Sequence, residues 1–250
     1  MGRNAWAPSR RNWSTARAKN LENRIHLSVY EAFARTLGDL SGLDAVDIGC
    51  GSGRVTGVLV SLGARVTGVE PNAEALGRAR ETVRARFVAG SGEATGLADA
   101  AFDIAVFGES LHHAQDRFAA LEEAVRIVRP GGRIVVVEPQ APDPIYDVAR
   151  FIDDEAPVYQ DARNAIAAIV AQGRATRRPP LLFAGKYRVA SPQGMLNDMC
   201  AVDAGRSLDE ADRPAYEKAF YAALRRDEEG PFLPYWQRLD ILHLQSSSVA

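Results

Sequence analysis

Asp44-Ala45-Val46-Asp47-Ile48-Gly49-Cys50-Gly51-Ser52-Gly53-Arg54, continued by Val55 to Leu62 and then by Ala64-Arg65-Val66-Thr67-Gly68-Val69-Glu70, decides the fold. Ala45 to Ile48 is a short apolar run suited to a buried parallel strand, and three glycines follow at once, where the backbone must turn sharply. Val55, Val58, Leu59 and Leu62 recur at helical spacing, so a helix starts near Gly53, its N-terminus facing whatever the turn holds, and ends at Gly63. Arg65 to Val69 reads as a second strand finishing at Glu70, where an acidic side chain can accept hydrogen bonds from both hydroxyls of a ribose.

A dinucleotide site would carry Gly-x-Gly-x-x-Gly, but Arg54 or Thr56 occupies the third glycine position, depending on the starting glycine. The spacing is instead Asp-x-Gly-x-Gly-x-Gly, with Asp47 just before the loop. It resembles the first motif of the class I S-adenosylmethionine-dependent methyltransferases. Phe102 to Phe107, Leu111-His112-His113, Val128-Arg129-Pro130-Gly131-Gly132 and Val136-Val137-Glu138-Pro139 follow in the order seen in the small-molecule members of that family. The resemblance implies a Rossmann-like α/β fold: a seven-stranded, mostly parallel sheet with helices on both faces, extended by a helical lid and cap. It also implies S-adenosyl-L-methionine as cofactor, held by Asp47, Gly49, Gly51, Gly53, Glu70, Ser91, Gly92, Glu93 and Glu109. Ser91 stands where many relatives have Asp, so Gly92 and Glu93 main-chain groups or the Ser91 hydroxyl would meet the adenine.

The 250 residues suit one α/β domain with a cap, divided as lid helices over 1–40, cofactor core over 41–140, and cap plus closing strands over 141–250. A formal charge of −2 gives no general attraction to phosphate polymers, so nucleic acid is not an expected partner. Cys50 and Cys200 lack partners at ligand spacing, and no apolar run approaches a membrane span or a signal-peptide core. A cytoplasmic protein is expected, with a homodimer only as the base-rate assembly.

The first 19 residues are basic and carry Trp6 and Trp13, which suggests a lid. Ile25, Val29, Phe33 and Leu37 predict a helix from Leu21 to Leu40. Asn72 and Asp116 are placed to cap the helices that follow them. Beyond Pro142 the pattern is mostly helical, around residues 145–152, 161–171, 192–199 and 214–225. Residues 173–180 read as a basic loop, 181–190 as extended and 234–244 as a closing strand. The helices of this half are expected to form a cap inserted after the fifth strand.

Methyl transfer needs an aligned nucleophile and, for a hydroxyl, a proton acceptor. His112 and His113 stand at the end of the fourth core strand on the side left for substrate, His112 slightly ahead as the general base, and Glu138 could orient or charge-stabilise a histidine. Asp153-Asp154-Glu155 reads as a solvated acidic face, and no metal is assigned. The expected activity is methyl transfer to an oxygen or nitrogen of a small-molecule acceptor. A non-catalytic S-adenosylmethionine-binding protein and a nicotinamide oxidoreductase are the alternatives.

Overall fold

The computed structural model describes residues 25–202 and 205–246, so the Trp-containing arm and its lid reading lie outside the described residues. The described chain starts with a two-residue strand, β1 (Ile25–His26), where the sequence predicts helix. Helix α1 (Val29–Leu37) begins only after Ser28, whose hydroxyl accepts from the Glu31 N–H while the Glu31 carboxylate returns to the Ser28 N–H. This reciprocal cap outweighs the helical spacing of Ile25 and fixes the boundary.

The motif region folds as its residue pattern requires. It runs β2 (Asp44–Ile48), α2 (Arg54–Ser61), β3 (Arg65–Glu70), α3 (Ala73–Thr82), β4 (Arg86–Ala89), β5 (Phe102–Gly108), α4 (Arg117–Ile127) and β6 (Val128–Pro139). Asn72 caps α3 through bonds of 3.0 Å from the Glu74 and Ala75 N–H groups, and Asp116 caps α4 through the Ala119 N–H at 2.9 Å. The second half contains α5 (Tyr146–Ala149), α6 (Ala156–Ala171), β7 (Ala175–Arg177), β8 (Leu181–Arg188), α7 (Pro192–Val202), α8 (Arg213–Ala223), β9 (Arg225–Asp227) and β10 (Gly230–Leu244).

Among the described residues the strands join one sheet in the order β1-β8-β10-β6-β5-β2-β3-β4, with β7 and β9 paired to β10. Among the described residues the longer strands are the expected seven, and β1, β7 and β9 are short additions. β4, β3, β2, β5 and β6 are parallel, whereas β10 runs antiparallel between β6 and β8. The 173–180 segment is therefore partly strand: Arg177 lies opposite Leu242, and Arg174 is spent on Glu122.

Alternation along each strand sends successive side chains to opposite faces. Ala45, Val66, Ile104 and Val135 pack with Phe33 of α1 and Leu59 of α2. Val46, Ile48, Phe107 and Val136 pack on the other face with Leu121 of α4 and Ala162, Ile166 and Ile169 of α6. Helix α6 thus covers the sheet rather than capping it. A separate cluster of Val148, Met195, Tyr216, Phe220 and Leu233 joins α5, α7 and α8. The cap therefore draws on two insertions, one after β6 and the larger one between β8 and β10.

Candidate active site

The turn after β2 uses its glycines for different steric reasons. Gly49, Gly51 and Gly53 have φ of 72°, 54° and 89°, a region that a side chain strains. A Cβ on Gly49 would stand 2.6 Å from the Ser110 Cβ, whereas one on Gly51 would meet nothing within 4 Å. The loop is thus closed against the neighbouring strand end and open on its outer side. The Glu70 carboxylate braces it, accepting from the Gly51 and Asn72 N–H groups at 2.9 Å each.

Asp47 lies beneath the turn. Its Oδ2 accepts from the Thr56 hydroxyl at 2.6 Å, while its buried Oδ1 has no hydrogen-bond partner. Burial raises its pKa to about 6, against the pull of the Thr56 bond. Thr56 is itself buried at a position where a dinucleotide fingerprint would need glycine.

Ser91, Gly92 and Glu93 follow β4 along the same rim. A Cβ on Gly92 would press on Ala120 at 3.3 Å, and the Glu93 carboxylate accepts from the Asp116 N–H at 3.1 Å. Glu109 has φ 60° and bridges two elements: it bonds Arg54, the first residue of α2, and the buried Gln237 amide of β10. Arg54 also meets the Tyr235 hydroxyl. Neither Arg54 nor Gln237 was readable as a site residue, because their convergence depends on β10 entering the sheet beside β6.

A cleft of about 660 Å³ opens from Arg54 and Glu109 toward the cap. His112, His113, Tyr159 and Glu155 line it, as do Ile145, Met195 and Met199. His112 is buried and its Nδ1 meets Glu138 Oε2. The other carboxylate oxygen accepts from the Leu111 and His112 N–H groups at 3.0 and 3.3 Å. Burial opposes a charge on the His112 ring, but the Glu138 hydrogen bond and charge prevail and raise its pKa. With Nδ1–H committed to the carboxylate, the neutral ring keeps its lone pair on Nε2. His113 is tilted against His112, with ring centroids 3.9 Å apart; the residue keeps an exposed surface, but partial burial of its ring and then the neighbouring imidazole pull its pKa down to about 4.

The structure corrects the acidic run. Glu155 is not a solvated face: one of its oxygens accepts from the Tyr159 hydroxyl and the other from Arg206, each at 2.7 Å, and Arg206 also binds Asp153 at 2.9 Å. Tyr159 places its ring edge-on to His112 with centroids 4.9 Å apart, and burial and Glu155 keep its phenol protonated. The only sequence signal for this group was its chemistry.

A parallel α/β sheet with a glycine turn at the carboxyl end of its central strand, and an acidic residue ending the next strand, defines a Rossmann-like nucleotide-cofactor domain. Residues 46–136 match the family model described as a methyltransferase domain, which together with the fold supports a class I methyltransferase and implies S-adenosylmethionine as its cofactor. A ubiquinone/menaquinone biosynthesis C-methyltransferase of Rubrivivax gelatinosus is 32% identical over 133 residues, covering 51% of this chain and 53% of the relative. A ubiquinone biosynthesis O-methyltransferase of Bradyrhizobium sp. is 32% identical over 111 residues, covering 43% and 44%. The chain therefore spans about half the length of the curated relatives it matches. The crystal structure of the YcgJ protein from Bacillus subtilis shares the fold with a TM-score of 0.59 at 17% identity, covering 88% of this chain and 98% of that one. Among the described residues, no helix is long and apolar enough to cross a membrane.

Proposed function

We propose that this chain transfers a methyl group from S-adenosylmethionine to an oxygen or nitrogen of a small-molecule acceptor held in the 660 Å³ cleft. When bound, the cofactor supplies a methyl group already activated on a sulfonium. The residues present fit it: the open outer side of the Gly49–Gly53 turn would take its amino-acid end above Asp47, and Glu70 its ribose. Ser91 to Glu93 would flank the adenine, and Glu109 would stand between that groove and the cleft.

The observation that carries the catalytic reading is the pairing of His112, which lines the cleft, with the buried Glu138 behind it. Glu138 acts as a positioning residue: it fixes the ring and its tautomer, so that Nε2 can accept the acceptor's proton. A hydroxyl gains most from this because its own pKa lies far above neutral, whereas an amine can shed its proton to water. Oxygen is therefore favoured over nitrogen. The named relatives include both a C- and an O-methyltransferase, so relatedness does not choose the atom.

A screen of metabolite extracts for methyl incorporation from labelled S-adenosylmethionine, in wild type and His112→Ala, tests the reading. Loss of on the order of 100-fold in turnover with cofactor affinity retained is expected. Turnover within about three-fold of wild type in the His112 variant would leave only proximity as the source of catalysis. No labelled product from any extract, together with tight cofactor binding, would instead favour a non-catalytic binder.

A further inference from the structure

We infer that His112, His113 and Glu155 form a binding site for one divalent transition cation of the zinc class at the acceptor end of the cleft. One donor atom from each residue lies within 4.8 Å of the other two. Bonds of about 2.0 to 2.1 Å to a tetrahedral ion would set these donors roughly 3.3 Å apart, so closing the set takes an approach of up to about 1.5 Å between them. His113 is the exposed member of the set, so most of the movement falls to its ring, while Glu155 is held by Tyr159 and Arg206. The third is fixed, since His112 is clamped by Glu138 and packed against the Tyr159 edge.

That clamp is the second observation. An imidazole whose Nδ1–H is bonded to a buried carboxylate presents Nε2 in a fixed tautomer and direction, which is how carboxylate–histidine pairs support a bound metal. Glu155 already receives the Tyr159 hydroxyl and Arg206, but each carboxylate oxygen keeps a further lone pair. Nearby charge also suits a dication: Glu138, Asp153 and Glu155 stand against the guanidiniums of Arg206 and Arg117, leaving a net negative environment. Two imidazoles and one carboxylate select zinc, cobalt or ferrous ions over magnesium or calcium, which prefer all-oxygen shells.

Occupancy would take the same Nε2 lone pair that the proposed base uses, so the ion inhibits base-assisted transfer. The inference goes beyond methyl transfer, and its test needs no cofactor. The chelator-treated full chain is titrated with Co2+ and then with Zn2+. One equivalent of Co2+ should give the visible absorption of a low-coordinate nitrogen–oxygen site and raise the melting temperature, and Zn2+ should displace it. His113→Ala and Glu155→Gln should weaken Co2+ binding at least 10-fold, and Glu138→Gln by about 10- to 100-fold while leaving the three ligands in place. Melting curves of the metal-free variants establish that each is folded. Absence of Co2+ and Zn2+ binding at submillimolar concentration, or an affinity unchanged in folded His113→Ala and Glu155→Gln, would overturn the site.

Discussion

Replacing Glu138 by Gln separates the orientation of His112 from its mere presence. The glutamate uses one oxygen for the Leu111 and His112 N–H groups and the other for His112 Nδ1. Glutamine has a single acceptor oxygen. If it stays on the two main-chain donors, the amide NH2 faces Nδ1, which must then accept, and the neutral ring carries its proton on Nε2. The nitrogen available to an acceptor hydroxyl becomes a donor and cannot act as base. A positioned base is worth roughly 10²- to 10⁴-fold, so the expected loss in turnover is at least about 100-fold, a barrier increase near 2.7 kcal/mol. Losing a charged acceptor for a buried donor should also cost about 1 to 3 kcal/mol of stability. Turnover is measured by labelled methyl incorporation, cofactor affinity by calorimetry, and tautomer state by nitrogen chemical shifts of the labelled ring. Cofactor affinity should remain within about three-fold of wild type. A variant that keeps Nδ1–H, or that turns over within about three-fold of wild type, would refute the reasoning.

Glu70→Ala should weaken S-adenosylmethionine binding by about 1 to 3 kcal/mol, because a charged hydrogen-bond partner is removed; unchanged binding by calorimetry would dismiss the ribose role. Gly49→Ala forces a Cβ to 2.6 Å from the Ser110 Cβ at φ 72°, so the melting temperature should fall by several degrees, and an unaltered melting curve would show that the turn yields to a side chain. Asp47 should make stability depend on pH. Its folded pKa, raised to about 6, lies above the unfolded value near 4, so the native state holds the proton longer. The resulting contribution is fully present below about pH 4 and lost as pH rises through 6, up to about 3 kcal/mol in all. The stability difference between Asp47→Asn and wild type, from urea unfolding at several pH values, should therefore grow in favour of the variant across that window; a constant difference would contradict a buried, proton-holding Asp47.

The cofactor half of the molecule was legible because its determinants are local. A short, mostly apolar run, glycines at positive φ, a helical repeat from Val55 to Leu62, and caps at Asn72 and Asp116 each act within one turn or one strand. The acidic end of β3 follows from the same short-range count. The start of α1 is set by the Ser28–Glu31 cap, which competes with the periodicity that Ile25 continues. Periodicity reveals that a face of α6 is apolar without saying that the sheet, rather than the cap, covers it.

The sequence by itself determined the α/β order, the glycine turn and the residue types available for proton transfer, since those depend on backbone sterics and on neighbours a few positions apart. Tertiary structure alone decided which of them meet. Parallel pairing of β5 with β6, with Gly108 opposite Val137 and the Glu109 N–H on the Val137 carbonyl, brings Glu138 onto His112 from 26 residues away. Insertion of β10 beside β6 sets Gln237 against Glu109, and Tyr159 and Arg206 turn Glu155 into the cleft. Hydrogen bonds of this kind form between strand ends and loops whose separation is fixed by sheet register, a quantity that no periodicity along the chain contains.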